Sequence, residues 1–562
     1  MTRSVLRAVA CTMIVLLTLL VAAAPVRAQA VHSLLPDTTA TRLAAFYNSE
    51  TTTRFTGDAR IAAGTTLRGN VAVLGGTLVV DGTIDGDVVV INGELDVRQG
   101  GAVRGSAFVT GGAARNGGVV DGGIVVYREP LRFRATDAGI APTPPDDEPG
   151  LAAGRDFPFG RTDILVATHG GYNRVEGLPI AIGPRIRFGG SHPITARALL
   201  IARTAVASEL DPQRFGFIVG ADQLVAPGAG LSVGVRLYSL IEPVEPWLSD
   251  RENALSTFLL RQDFRDYYER EGWLLGARMA RPGSPLTVEL EYRDEEHESV
   301  PAAQVFTVLR RNEQWRPQPS VAEGALHSLI ARAEYDTRNE PRDPSTGWLL
   351  RGHIEQGLAG TLRNPVPFDD ESLALVDRTA NENFATATLD ARRYARLSPY
   401  ARLGLRVMAS VTLDGVALPA QRQHTLGGEG SLPGYRSFEF DCGARNATVQ
   451  LRGETWHPYY GCDQLVLVQI EYQAGFPFAR RLSETLGLSG SIGSAVRWVA
   501  FFDAGRVWNE PGARAGRNRG SDDFSADAGL GLRLGPLGLY WAQPLSGRGQ
   551  GFNFFVRVGP RI

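Results

Sequence analysis

The sequence predicts an all-β protein in which a small β-solenoid is followed by a transmembrane antiparallel β-barrel. Residues 55–130 repeat themselves about every 17 to 19 residues, as stacked coils do. Residues 162–562 alternate apolar and polar side chains in segments of about ten residues that are separated by turns. Beyond the N-terminus no apolar run approaches the 18 residues or so of a spanning helix, so strands must do any membrane crossing.

The first 30 residues have the pattern of a secretory signal peptide. Arg3 and Arg7 precede an apolar run, and small residues follow at Ala28 and Ala30. We therefore predict a signal peptide over residues 1–28, cleaved after one of these two alanines. A retained anchor helix is the alternative, but the apolar run is short for a bilayer.

The three cysteines support an exported protein with one disulfide. Cys11 precedes the apolar run, which leaves Cys442 and Cys462 in the mature chain. In an oxidising compartment, two such cysteines are expected to pair with each other.

The repeat at residues 55–130 predicts a β-solenoid with an apolar interior. Lines that begin at Gly69, Gly86 and Gly105 align with one another, and a shared core requires apolar side chains at equivalent positions. The alignment gives three such columns: Val71, Val88, Ala107 and Ile124; Val73, Val90, Val109 and Val126; and Leu67, Ile84, Val103 and Val120. The pattern resembles the bactofilin-like, polymer-forming repeats of bacteria, which implies self-association; a rigid cap is the plainer alternative.

Two segments flank this repeat. Residues 29–54 are predicted to cap it, with a short helix at "RLAAFYNSE" that covers the open end of the solenoid. Residues 131–161 are rich in proline and acidic residues around "APTPPDDEPG", which is the composition of a linker.

The region 162–562 predicts the barrel through the two faces of its strands. In the last segment, "FNFFVRVGPRI", the apolar side chains share one face and Asn553, Arg557 and Arg561 share the other. Lipid outside and a wet lumen inside explain such a pattern. A soluble sandwich would also alternate, but it rarely reaches about 400 residues as one unit. The predicted lipid-facing residues of this terminal strand are Phe552, Phe554, Val556, Val558 and Ile562.

Four segments of the barrel region occur in a distinctive order: "YDTRNEPRDPSTGWLLRGHIE", "HTLGGEGSLPGYRSFE", "VAFFDAGRVWN" and "DAGLGLRLGPLGLYWAQPL". Together they resemble the C-terminal barrel of the bacterial surface antigen superfamily, the BamA/TamA type of outer-membrane assembly and translocation proteins. The resemblance implies 16 strands, an outer-membrane location, and a lateral seam between the first and last strands.

The resemblance also implies a site inside the barrel, where the sixth loop contacts the wall through a signature arginine. Here Pro433 stands where that arginine is expected, and Arg436 is the nearest replacement. The loop residues of the signature region are Leu432, Pro433, Gly434, Tyr435 and Arg436; Asp503 is the matching wall carboxylate, and Glu471 is a second candidate. The Cys442–Cys462 disulfide would close a lobe of the same loop.

Function is predicted from these features and from what is missing. The family's periplasmic POTRA domains are replaced by the solenoid, which we expect to lie in the periplasm. The expected partners are outer-membrane lipid and lipopolysaccharide, unfolded outer-membrane or secreted polypeptides, and other copies of the solenoid. The net charge of −2 argues against nucleic acid. No enzyme motif occurs, and we expect no cofactor and no catalytic activity. Insertion or translocation of polypeptides is the leading hypothesis; a structural anchor and a plugged passive pore are the alternatives.

Overall fold

The structure is a computed structural model. It describes the following residues: 30–32, 35, 37–127, 130–131, 133–136, 139–142, 151–157, 160–205, 215–248, 250–281, 284–338, 343–364, 380–398, 401–442, 449–451, 454–456, 461–475, 496–509, 523–546 and 551–562. The predicted signal peptide lies outside them. The chain divides into two compact units, Met1–Pro144 and Pro145–Ile562.

The first unit is a β-solenoid with a helix on one face. Helix α1 spans Asp37–Asn48. The strands are β1 (Ala30–His32), β2 (Thr52–Thr56), β3 (Ala59–Ile61), β4 (Thr66–Arg68), β5 (Asn70–Val80), β6 (Thr83–Asp85), β7 (Val88–Val97), β8 (Ala102–Val103), β9 (Ala107–Thr110), β10 (Ala114–Asn116), β11 (Val119–Val120), β12 (Ile124–Tyr127), β13 (Phe133–Thr136) and β14 (Gly139–Pro142). One parallel sheet has the order β1-β12-β9-β7-β5-β2, and a second has the order β11-β8-β6-β4.

The predicted apolar columns are confirmed residue by residue as partners in parallel register. Val73 pairs with Val90, Val90 with Val109, and Val109 with Val126. The other two columns follow the same registers, and most of their side chains are fully buried in one cluster. Stacked aliphatic side chains therefore form the interior of the solenoid.

Helix α1 lies elsewhere than expected. It packs through Leu43, Ala44 and Tyr47 against Ala72 and Ile91 on the outer face of the larger sheet, not across an open end. Strand β1, paired with β12, is the element of the predicted cap that extends one end of that sheet. The solenoid sheet is thus buried on both faces.

The β13–β14 hairpin joins this outer layer and lies within the predicted linker. Two asparagine side chains attach this hairpin and the residues before it. Each side-chain amide pairs with the backbone N–H and C=O of one residue, as a neighbouring strand would. Asn92 Nδ2 donates to the Leu131 carbonyl at 2.8 Å while its Oδ1 accepts from the Leu131 amide, also at 2.8 Å. Asn48 holds Ile140 in the same manner.

The second unit is a large antiparallel sheet with one helix, α2 (Asp250–Leu260), and two short 3-10 helices, Pro227–Ala229 and Ala420–Arg422. Its strands are β15 (Leu151–Phe157), β16 (Gly160–Thr168), β17 (Pro179–Phe188), β18 (Ile194–Arg203), β19 (Phe215–Ala226), β20 (Leu231–Pro243), β21 (Tyr267–Ala280), β22 (Leu286–Ser299), β23 (Gly324–Asp336), β24 (Gly347–Gly360), β25 (Ala385–Ser398), β26 (Ala401–Thr412), β27 (Val449–Leu451), β28 (Glu454–Trp456), β29 (Gln464–Gly475), β30 (Val496–Trp508), β31 (Ser525–Leu534), β32 (Leu537–Pro544) and β33 (Asn553–Val558).

This sheet contains 17 strands among the described residues, one more than predicted. The order follows the sequence from β15 to β33, with only the β27–β28 hairpin left outside it. The sixteen strands from β16 onward match the prediction. The additional strand β15, residues 151–157, lies within the predicted linker. Prolines dominate the residues before it, but "LAAGRDF" itself contains none and can pair.

The faces of the strands follow the predicted pattern. Arg402 and Arg406 of β26 are buried in the interior, while Leu403 and Leu405 lie on the opposite, more exposed face. In the terminal strand Phe552, which precedes β33, is 76% exposed. None of the helices among the described residues is long and apolar enough to cross a membrane.

Candidate functional site

The candidate site lies inside the barrel, where the connection between β26 and β29, residues 413–463, meets the wall. This is the sixth connection on the long-loop side of the sheet, counted from the β16–β17 hairpin. Leu432 and Tyr435 are buried and pack with Leu426 of the same loop, with Leu465 of β29 and with other residues of β26, β29 and β30. Leu432 and Tyr435 of the signature segment therefore face the interior.

Gly434 brings the loop backbone against the wall. Its amide donates to Asp527 Oδ2 at 2.7 Å, and a Cβ at this position would lie 2.7 Å from the Asp527 Cβ. Asn553 Nδ2 donates to the carbonyls of Pro433 and Gly434 at 3.1 and 2.9 Å. The Tyr435 hydroxyl donates to the Ala526 carbonyl at 3.0 Å. A glycine is required here because a side chain would collide with Asp527.

The same loop contacts the terminal strand once more, through Arg557. Its Nη1 donates to the Glu429 carbonyl at 3.0 Å. The hydrogen bonds described for Glu429 and the signature segment thus reach β31 and β33, which are two of the last three strands of the sheet.

Arg436 does not reach the wall carboxylates. Its side chain is exposed, and its backbone amide donates to Glu439 Oε2 at 2.9 Å. Asp503 and Glu471 are buried and hold a different arginine, Arg561. The proposed replacement of the signature arginine by Arg436 is therefore corrected by the structure.

Arg561 makes the ion pair that the family resemblance led us to expect from the loop. Its Nη2 donates to both oxygens of Asp503 at 2.7 Å, and its Nε lies 3.3 Å from Glu471 Oε2. The guanidinium also lies 3.9 Å from the centre of the Phe501 ring. A buried cation between two carboxylates and an aromatic face has the partners that make such burial tolerable.

Arg561 lies on the interior side predicted for it, and a turn at Gly559 precedes the burial of Ile562. Strand β33 ends at Val558, and Gly559 has φ +120°, which a residue with a side chain rarely adopts. Ile562 then becomes 3% exposed. The prediction that Ile562 shares the lipid-facing side of Phe552, Phe554 and Val556 is wrong, because the strand alternation stops before it; Val558 is half-buried at the strand end.

Sequence reasoning missed a second buried ion pair, which anchors the sixth loop itself. Arg422 donates through Nε and Nη2 to the two oxygens of Glu355 on β24, at 2.7 and 3.0 Å. Its Nη1 donates to the Tyr268 hydroxyl at 2.9 Å. The neighbouring Gln421 bonds the backbone of Ala322 on both its amide and its carbonyl. No sequence signature marks Arg422; its position ten residues before the signature segment was the available signal.

The predicted disulfide is confirmed. The sulfur atoms of Cys442 and Cys462 are bonded, and both residues are buried. Cys462 also pairs with His424 through the backbone, with amide-to-carbonyl distances of 2.8 and 2.7 Å. The bond therefore joins the end of the interior segment to the residue that leads into β29.

At the short-turn side of the sheet, the carboxylate of Asp343 forms ion pairs with three arginines of the wall. Arg497 and Arg533 lie 3.0 and 3.1 Å from its carboxylate, and Arg402 also donates to it. Asp343 belongs to the first of the four family-like segments. The turn before β24 is thereby attached to β26, β30 and β31.

The interior side chains described above join parts of the chain to one another. In the described parts of the chain, no group of three or more His, Cys, Asp or Glu side chains is placed to hold a metal ion. What the geometry provides is a set of ion pairs and hydrogen bonds that fix a loop and a chain end against particular strands.

A many-stranded antiparallel sheet with an inward sixth loop, arginines inside and apolar side chains outside defines the class as an outer-membrane β-barrel. The Omp85 superfamily domain matches residues 230–556. The chain belongs to the Omp85 superfamily, whose members are outer-membrane proteins.

Solved structures of this class are similar to the chain at low identity. BamA from Haemophilus ducreyi lacking POTRA domains 1–3 is 13% identical over 73% of this chain and 75% of that one, with a TM-score of 0.41. CdiB from Escherichia coli is 12% identical over 77% and 67%, with a TM-score of 0.30. CdiB from Acinetobacter baumannii is 10% identical over 71% and 59%, with a TM-score of 0.29. No curated protein matches the chain.

Proposed function

We propose that this protein is a non-enzymatic outer-membrane barrel that inserts other outer-membrane proteins or translocates polypeptides, with its solenoid in the periplasm. The observation that carries the proposal is the contact of the sixth loop with strands β31 and β33. Membership of the Omp85 superfamily supports the same reading.

The two ends of the sheet support a seam. The pairing order ends at β15 on one side and β33 on the other, and none of the described residues joins these two strands. An unpaired strand edge offers backbone donors and acceptors to an incoming extended chain. A polypeptide substrate would be recognised by this backbone pairing and not by a particular side chain.

The interior contacts keep the last strand in position beside that seam. Asn553 binds the loop backbone at the start of β33, Arg557 binds it near the end, and Arg561 binds the wall beyond the end. Movement of the loop would therefore move the strand. This linkage gives the loop a part in opening or closing the seam.

An insertion assay tests the proposal. The purified protein is reconstituted in vesicles of phosphatidylethanolamine and phosphatidylglycerol, and a small urea-unfolded outer-membrane barrel is added. We expect protease-resistant, membrane-inserted product to form faster than in empty vesicles. Gly434→Val should abolish the gain, because its Cβ would meet Asp527. Gly228→Val is the matched control, since a Cβ there meets nothing within 4 Å. Equal rates in empty and loaded vesicles would reject the insertion role.

The passive-pore alternative is favoured by the loop that occupies the lumen. It predicts conductance in planar bilayers that rises when residues 424–462 are deleted and no acceleration of barrel insertion. Conductance that stays unchanged on deletion would count against a plugged pore.

The anchor alternative is favoured by the solenoid, whose larger sheet ends at β1 and β2. Each of these strands has its neighbour on one side only among the described residues, which leaves an edge for a second copy. The full chain in detergent should then form larger species at higher concentration, and Thr53→Pro in β2 should reduce them. Sedimentation as a monomer at every concentration would reject this alternative.

A further inference from the structure

Strand β15 makes the number of strands odd, and the parity has a geometric consequence. All neighbours in the order β15 to β33 are antiparallel, from the β15–β16 pair to the β32–β33 pair. Strands at the two ends of a 17-stranded antiparallel sheet run in the same direction. Strands β16 and β33, the ends of the remaining sixteen, run in opposite directions and could close an antiparallel barrel, as the even-numbered barrels of bacteria do.

Strand β15 occupies the edge of β16 at which such closure would happen. Each of its seven residues is paired, from Leu151 opposite Val166 to Phe157 opposite Gly160. The other edge of β16 is paired with β17 along the whole strand. With β15 in place, neither edge of β16 is available to another strand over this range.

The sequence of β15 is fitted to β16 at one position. Gly154 stands opposite Asp163, and a Cβ on Gly154 would lie 2.0 Å from Asp163 Oδ1. Asp163 is buried, and its carboxylate is held by Arg161 at 2.6 Å and Arg187 at 2.7 Å. The carboxylate is therefore fixed by its cations, and only glycine on β15 leaves room for it.

The opposite side of the seam is attached through side chains. Strand β33 is held by the side chains of Asn553, Arg557 and Arg561, as described above. On β15 the residues whose side chains are described, Gly154, Arg155 and Phe157, are exposed. Among the described side chains of the two strands that border the seam, those of Asn553, Arg557 and Arg561 contact the interior, whereas those on β15 are exposed.

We propose that residues 151–157, the β15 strap, are an intramolecular strand that occupies the edge of β16 and must leave it before another strand can pair there. The strap keeps an exposed strand edge from pairing at random. This inference rests on the proposed function, because it treats the β16 edge as the place where an incoming polypeptide strand pairs.

Hydrogen exchange on the full-length protein in detergent measures whether the strap is docked. Gly154→Val should release it through the collision with Asp163. Arg155→Val is the matched control, since neighbouring side chains of a strand point to opposite faces. In the released protein about half of the amides of residues 160–168, those directed to β15, should exchange about tenfold faster or more. Amides of β26, which is paired on both sides, should not change.

A second variant covers the case in which Gly154→Val disturbs Asp163 and misfolds β16. Ala152→Pro together with Ala153→Pro removes backbone donors from β15 and leaves Asp163 untouched. Release of the β16 amides in this variant, with β26 protected, supports the strap. Exchange at residues 160–168 that is the same in wild type, both release variants and the control would overturn it.

The insertion assay then separates the strap from the proposed function. The release variants should insert the unfolded barrel several-fold faster than wild type and Arg155→Val. If the strap is released but insertion keeps its wild-type rate, the claim that it must leave is wrong. If hydrogen exchange shows the strap docked in the wild type and released in the variants, but none of these proteins inserts the unfolded barrel, the docking of the strap is supported and the proposed function is wrong.

Discussion

The solenoid and the barrel are both made of strands, yet the solenoid has an apolar interior and the barrel has a polar one. In the solenoid Val73, Val90 and Val109 are completely buried between coils. In the barrel Arg561 is completely buried, and Leu530 is 62% exposed on the outer face. The solenoid excludes water with aliphatic side chains, whereas the barrel encloses polar groups and turns its apolar side chains toward lipid.

This difference decides which interactions hold each unit together. In the solenoid each buried aliphatic side chain contributes about 1.5–3 kcal/mol by leaving water. In the barrel interior an arginine contributes through its partners, and the removal of one partner leaves a buried charge unpaired. The two units should therefore fail under different substitutions.

The largest effect is expected from a charge placed in the solenoid core. Val90→Asp puts a carboxylate among aliphatic side chains with no partner, which should cost more than about 4 kcal/mol and unfold the solenoid. Limited proteolysis of the full chain should then cut within residues 55–127 while the barrel stays resistant. Val119→Asp, at an exposed solenoid position, should leave the digestion pattern unchanged. A resistant Val90→Asp protein would show that the solenoid core does not behave as described.

Within the barrel the largest effect is expected at Arg422. Arg422→Gln leaves Glu355 buried without its cation, which should cost about 3–5 kcal/mol and free the sixth loop. Planar-bilayer recordings should show higher conductance than wild type. Arg436→Gln changes an exposed arginine of the same loop and should leave the conductance at the wild-type level. An effect of Arg436→Gln as large as that of Arg422→Gln would return the signature role to Arg436.

A somewhat smaller effect is expected at Arg561, which shares its charge between two carboxylates. Arg561→Gln should lower the temperature at which the barrel unfolds on heating in detergent, with a loss of about 3 kcal/mol. Asp503→Asn on top of it should restore part of the loss, because one unpaired charge is removed with the other. Losses that simply add in the double variant would show that the two side chains do not interact.

The smallest effect concerns pH and the sixth loop. Burial lowers the pKa of His424 from 6.5 to about 4. Its neutral form is therefore the one that the fold stabilises, and this stability is fully present above pH 6.5 and lost as the pH falls toward 4. Protease access to the loop should rise over that interval. His424→Gln should flatten the profile, and a profile that persists unchanged in this variant would assign the titration to another group.

The sequence predicted the solenoid more completely than the barrel interior, for a physical reason. Equivalent positions of a repeat lie next to each other in stacked coils. The repeat therefore predicted both the columns through Val73 and Ile84 and the register of their strands. The two cysteines and the alternation of the strands also carried direct information. Side chains that form an ion pair across the lumen follow no repeat in the sequence. Neither the Arg422–Glu355 pair nor the Arg561–Asp503 pair could therefore be derived from the spacing of residues along the chain.

The remaining differences come from single residues whose effect is geometric. Gly559 ends the alternation and turns Ile562 inward, although the residues around it continue the pattern. Gly154 gives room for a buried carboxylate that lies on another strand. Composition predicts a linker at residues 151–157 because prolines lie close by, while strand pairing depends on the backbone of the segment itself.

The Cys442–Cys462 bond has a practical consequence for engineering. The disulfide connects the interior segment covalently to the residue that leads into β29. The position of the interior segment therefore does not depend on residues 443–461 as a connection. Length and sequence between the two cysteines can then vary without pulling on Gly434 or Arg422. An epitope inserted between them should report where this side of the protein is displayed on intact cells, with the interior undisturbed.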